Sequence, residues 1–215
     1  MSEVIVDTLK HSGNSSTANV TLASNGNVTV AKDLTVTETL TVPEKKLACP
    51  GTIIQVKTIQ VTAASTLSLT NANTFYNLAA MNGTITPTTN TNKILVSGHF
   101  SVEGTSYDPT IAYRLGRIVG GTAADDIIIG DAAGSRTRCT GNLPYSDNDQ
   151  DSTASQVHIS NFLDSPATTS AVTYGLWFSC TSASQTLYLN QTKGTNDHVD
   201  YERPASWITL MEVAA

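Results

Sequence analysis

The sequence predicts an all-β protein in two parts: a short repetitive N-terminal β-shaft or attachment segment, followed by a jelly-roll-like β-sandwich. Three observations predict it. Threonine, serine and asparagine number 33, 21 and 15 of the 215 residues, while charged residues make up only 14%, well below the roughly 25% of ordinary globular domains. So much β-branched threonine disfavours long helices and suits a pleated sheet. All 13 aromatic residues fall at or after Phe75, and no proline precedes Pro43. Throughout, short runs alternate apolar and polar residues between Gly, Asn and Pro punctuation, the period-2 code of half-buried strands.

The same composition excludes several functions. Apolar residues reach 40%, too many for a simply disordered chain at this low charge. A net charge of −6 and a pI near 5.0 argue against nucleic acid as a partner, which needs a basic face. No run approaches 18 apolar residues, so no membrane insertion is expected. The opening MSEVIVDTLKHSG places acids where a signal peptide needs a basic region, so a soluble protein made in a cytoplasm is expected.

The N-terminal segment is a repeated phrase. Val20-Thr21-Leu22, Val28-Thr29-Val30, Leu34-Thr35-Val36 and Leu40-Thr41-Val42 each set an apolar residue on either side of a threonine. Ser24-Asn25-Gly26-Asn27 is a turn between the first two, and Lys32-Asp33 and Thr37-Glu38-Thr39 are short polar links. Strands of three residues cannot stabilise themselves in water; they need neighbours or identical chains. The expected solution is a slender shaft closed by threefold association. Its apolar stripe would be Val20, Leu22, Val28, Val30, Leu34, Val36, Leu40 and Val42 on the trimer axis. Residues 1–46 are thus read as an attachment and trimerisation segment, and residues 47–51 as a linker. Two prolines and a glycine between Pro43 and Gly51 interrupt any continuous ladder.

From residue 52 to 215 the chain reads as one sandwich of eight to ten strands. The expected strands are Ile53–Val61, Thr66–Leu69, Lys93–Val102, Thr110–Val119, Ile127–Ile129, Ser135–Thr140, Val157–Phe162, Ala171–Cys180, Thr186–Gln191 and Ser206–Val213. Val96, Gly98 and Phe100 alternate with Leu95, Ser97 and His99, and Tyr174, Leu176 and Phe178 with Gly175, Trp177 and Ser179, so each strand offers one face to a core. Asn82-Gly83, Gly120-Gly121, Gly141-Asn142 and the Lys193–Asp197 stretch are turn chemistry. Asn73–Ala80 is the single place for a short helical turn.

Chemical motifs are sparse. Asp147, Asp149 and Asp151 resemble half of a calcium loop, but Ser152 stands where the loop needs glycine and His158 where it needs glutamate. A solvated acidic loop accounts for them better. Arg136 and Arg138 fall on one sheet face if Ser135–Thr140 is a strand, where they suit an anion or acidic partners. Cys49, Cys139 and Cys180, like His11, His99, His158 and His198, are scattered at no metal or catalytic spacing. No cofactor, no metal and no catalytic residue is nominated. The loop with Tyr145, Asp147, Asp149 and Asp151 is the candidate receptor contact, since exposed turns vary at least cost to the core.

The opening MSEVIVDTLKHSGNSSTANVTLASNGNVTV resembles the start of tail-fibre-like virion proteins of marine bacteriophages, including cyanophages. PGTIIQV (50–56), ITPTTNTNKILVSG (85–98), YRLGRIVGGT (113–122), IGDAAGSRTR (129–138), FLDSPATTSAVTY (162–174) and SWITLMEV (206–213) look like the β-rich module that follows such starts. The resemblance implies a trimeric, non-enzymatic virion component with a jelly-roll head, and it carries no catalytic or metal residues. Its implied partners are its own copies and other virion proteins of tail, neck or capsid, with a host-surface glycan or protein as receptor. Three roles compete: an appendage that meets the host, a purely structural capsid or neck decoration, and an enzyme acting on surface sugars. The last needs paired carboxylates on a broad groove, which the sequence does not group.

Overall fold

The computed structural model describes residues 8–9, 20–22, 28–30, 49–105, 111–121, 125–143, 154–194 and 196–215. The chain divides into two units, Met1–Pro43 and Glu44–Ala215. In the first, β1 (Thr8–Leu9), β2 (Val20–Leu22) and β3 (Val28–Val30) form an antiparallel sheet in that order. Its register sets Val20 opposite Val30 and Leu22 opposite Val28. Leu34, Val36, Leu40 and Val42 lie outside the described residues.

The second unit is all-β, two antiparallel sheets packed face to face. One sheet contains β4 (Ile53–Val61), β5 (Ser65–Leu69), β8 (Lys93–Gly104), β12 (Ser155–Asp164), β14 (Gln185–Leu189) and β15 (Ser206–Val213). The other contains β6 (Tyr76–Asn77), β7 (Gly83–Ile85), β9 (Ile111–Val119), β10 (Asp125–Ile128), β11 (Gly141–Asn142) and β13 (Val172–Cys180). Ile94 to His99 of β8 pair with β15 on one side and β12 on the other, which makes β12 an edge. No helix among the described residues is long and apolar enough to cross a membrane.

Alternation decides what fills the space between the sheets. Ile94, Val96, Phe100 and Val102 of β8 meet Tyr174, Leu176 and Phe178 of β13, and Ile208, Leu210, Leu187 and Leu189 complete the layer. Burying one such side chain contributes about 1.5–3 kcal/mol. Gly98 takes the β8 position beside the Phe100 ring, where a Cβ would stand 2.6 Å from that ring's Cε2. Gly175 likewise leaves room for Asn82, whose amide exchanges two hydrogen bonds with that of Asn77.

Two buried carboxylates flank the core where β8 begins, one on either side of Ile94. Glu212 is fully buried and accepts from Gln55 Nε2 at 2.6 Å, the Thr88 amide at 2.6 Å and hydroxyl at 2.7 Å, and Asn92 Nδ2 at 2.7 Å. Burial pushes its carboxyl up, but the donors, Asn92 foremost, outweigh this and hold it below the ordinary carboxylate value. Asp164, opposite Ile94 from the other side, joins the two sheets by accepting from Arg117 Nη1 and the Tyr174 hydroxyl, each at 2.7 Å. Burial, reinforced by Asp164, keeps that hydroxyl protonated.

Several local expectations are corrected. Ser135–Thr140 is not a strand: after a turn at Gly134 (φ +57°), Arg138 Nε donates to Gly130 O and Arg114 Nε to Arg138 O. Side chains thus occupy carbonyls that a ladder would need, and Arg136 and Arg138 do not share a sheet face. Asn73–Ala80 is no helical turn either. Asn73 is left-handed (φ +56°), Tyr76–Asn77 pair with β13, and a 3-10 turn begins only at Ala79. Gly83 opens a strand rather than a turn.

Candidate functional site

The outer face of the sheet that contains β4, β15, β8 and β12 carries two rows that register alone assembles. One runs Leu163–Leu95–Met211–Val56 across β12, β8, β15 and β4. It leaves Leu163 45% and Val56 50% exposed. The other runs His158–His99–Trp207–Gln60 across the same four strands. Between them Ser97, Thr209 and Thr58 form a polar row, with the Thr58 and Thr209 hydroxyls 3.1 Å apart. A bulge in β12, with Asn161 left-handed at φ +52° and bonded to Ser97, keeps both apolar and imidazole residues on this face.

The His–Trp row is an ordered cluster. The rings of His99 and Trp207 stack with centroids 4.4 Å apart and planes at 25°. His158 tilts against His99 at 4.8 Å, with the two Nδ1 atoms 3.4 Å apart. Burial, then the neighbouring His158, lowers the pKa of His99, so its ring is held neutral. Trp207 stays 43% exposed. An aromatic plane flanked by amide, hydroxyl and imidazole donors can stack against a sugar ring or a planar side chain and hydrogen-bond its rim.

A cleft of about 300 Å³ opens around the β12 edge toward the second sheet. Tyr113, Leu115, Ile128 and Phe162 give it an apolar wall, and Thr140, Ser160, Asn161 and His158 supply polar groups. Burial, with Cys139 nearby, raises the pKa of the Tyr113 phenol. Thr140 holds the wall together: its hydroxyl donates to Ile128 O and accepts from the Leu115 amide. None of the described lining residues is a carboxylate. The arrangement can bind and orient a ligand.

Tyr145, Asp147, Asp149 and Asp151, the receptor-contact residues expected from sequence, lie outside the described residues. Cys49 is exposed, Cys139 half-buried and Cys180 buried, all free thiols. The His–Trp row was missed because its members are far apart in sequence and only the β8 registers bring them together. Its signal was alternation: His99 and Trp207 each occupy the solvent-side phase of an expected strand, Ser206–Val213 with its expected bounds and Lys93–Val102 two residues short of the observed end at Gly104.

No protein-family model matches the sequence, and no curated protein matches it. Among solved structures the chain is similar to the VP2 subviral particle of infectious bursal disease virus, at 11% identity and a TM-score of 0.36, over 75% of this chain and 37% of that one. It is also similar to structures of the Gt strain of the same virus (13%, TM-score 0.38, 97% and 47% coverage) and the Gx strain (12%, 0.37, 90% and 45%). The chain spans less than half the length of each of these.

Proposed function

We propose that the chain is a non-enzymatic structural protein of a bacteriophage virion: a homotrimeric tail-fibre or appendage component that docks by residues 1–46 and presents its β-sandwich to the host surface. The observation that carries this reading is the break in construction. A sheet of two- and three-residue strands, with apolar residue opposite apolar residue, precedes a sandwich that closes its own core. Short strands of that kind gain stability from association. The sandwich is free to act as a presented head, with the Trp207–His99–His158 row and the adjoining cleft as its recognition surface. The resemblance to tail-fibre-like virion proteins supports the same assignment.

A second reading, a capsid or neck decoration, is favoured by one feature. The Leu163–Leu95–Met211–Val56 row forms a continuous apolar band across four strands, better suited to packing against another virion protein than to a hydrated receptor.

One experiment separates the readings. Residues 51–215 are expressed alone beside the full chain, and cooperative melting, host-cell binding and incorporation into particles are measured. The appendage reading expects the fragment to melt cooperatively and bind cells but fail to join particles. Incorporation without residues 1–46 overturns the docking role. A folded fragment and full chain that both ignore host cells move the decoration ahead.

A further inference from the structure

We propose that His99 and His158 form a divalent transition-metal site on the outer face of the sandwich, taking an ion of the zinc, nickel or copper class. The β8–β12 register sets the two residues directly opposite one another, and their Nδ1 atoms lie 3.4 Å apart. That separation lies beyond the 2.7–3.2 Å of ordinary protein N–H···O bonds, so a hydrogen bond between the two rings is a weak one. The separation suits a shared ion. A metal about 2.05 Å from each nitrogen subtends an angle of about 110° at this separation, which is the tetrahedral value.

Two further features favour the site. Stacking on Trp207 at 4.4 Å already fixes the His99 ring, so little ordering remains for binding to impose. His158 is exposed, so an ion enters from solvent without disturbing the core. No third His, Cys, Asp or Glu joins the pair among the described residues. Two coordination positions therefore stay open for water, or for a donor that a bound partner brings. Imidazole nitrogen selects zinc, nickel and copper over magnesium and calcium, which require oxygen ligands. The proposal is independent of the virion assignment: the chain binds the metal whether or not it is mounted on a particle.

The test uses the untagged full chain in a Cys49→Ser background, because the exposed Cys49 thiol is a competing soft ligand. Zinc chloride is titrated calorimetrically, and the imidazole resonances are followed by NMR. The expected result is one saturable site that shifts both the His99 and the His158 rings. His99→Ala or His158→Ala should each weaken it about tenfold or more, since even outer-shell partners are worth 10–100-fold. His198→Ala, whose ring lies beside Asp200 in a separate turn, should leave it unchanged, and magnesium chloride should not compete. His158 is exposed, so its substitution should leave metal-free melting as it was. The proposal is overturned if zinc shows no saturable binding up to millimolar concentration, or if binding survives both alanine substitutions.

Discussion

The hydroxyl of Tyr174, fully buried in the middle of one sheet, donates to Asp164 on the edge strand of the other across 2.7 Å. The same carboxylate receives Arg117 at 2.7 Å, so one side chain fastens the open side of the sandwich to its facing sheet. The bond depends on the β12 bulge, which returns Asp164 to the inward phase after Asn161.

Removing the carboxylate should therefore cost more than removing the hydroxyl. Tyr174→Phe loses a bond to a charged acceptor and should destabilise by about 1.5–3 kcal/mol. Asp164→Ala loses the ion pair with Arg117 as well and should cost about 3–5 kcal/mol. Urea melts of both variants and of the double variant measure the coupling. Additive losses would mean that the two residues act independently.

Glu212 should make the sandwich acid-sensitive. Its folded carboxyl lies below its ordinary value of 4.5, so the stabilisation is fully present above about that pH. It is lost as pH falls through the lower folded value. Glu212→Gln keeps one accepting oxygen for Thr88 and Asn92 but turns an amide donor toward Gln55 Nε2, and should destabilise by about 2 kcal/mol at neutral pH. The variant's melting temperature should also fall less steeply than the parent's between pH 5 and pH 3; parallel curves would assign the acid sensitivity elsewhere.

Gly98 should tolerate no larger residue. Alanine places a methyl against the Phe100 ring, and displacing that ring from a close-packed layer should cost about 1–3 kcal/mol. Phe100→Leu in the same chain should recover part of the loss. A neutral Gly98→Ala would show that the ring moves freely.

Trp207→Ala separates recognition from stability. The side chain is 43% exposed and stacks on one imidazole, so its loss should destabilise by about 1 kcal/mol. Under the appendage reading, binding of the full chain to host cells should drop by far more than that small loss of stability explains, while its association remains unchanged. Unchanged cell binding would remove this row from the recognition surface.

Long strands with a clear phase were legible in the sequence. Ile53–Val61 and Ser206–Val213 hold their expected bounds, and the Tyr174, Leu176 and Phe178 face is fully buried as alternation requires. The failures have local causes. Tyr76–Asn77, Gly83–Ile85 and Gly141–Asn142 are too short to carry a period, and β13 or β9 recruits them by pairing alone. Ser135–Thr140 alternates suitably, but the Arg114 side chain takes the Arg138 carbonyl and the segment forms no continuous ladder. The candidate site was the least legible part. His99 and His158 are 59 residues apart, and their contact depends on a register that no single segment encodes.

Sedimentation equilibrium of the purified full chain tests the central claim most directly, because a shaft-borne appendage requires that the N-terminal phrases associate. The predicted mass is about three times 22.7 kDa, falling to a single chain in Val28→Asp or Leu34→Asp, where three carboxylates would converge on one axis. A clean monomer of the parent chain at micromolar concentration would contradict the account, and a trimer untouched by both substitutions would place its contacts outside the N-terminal segment.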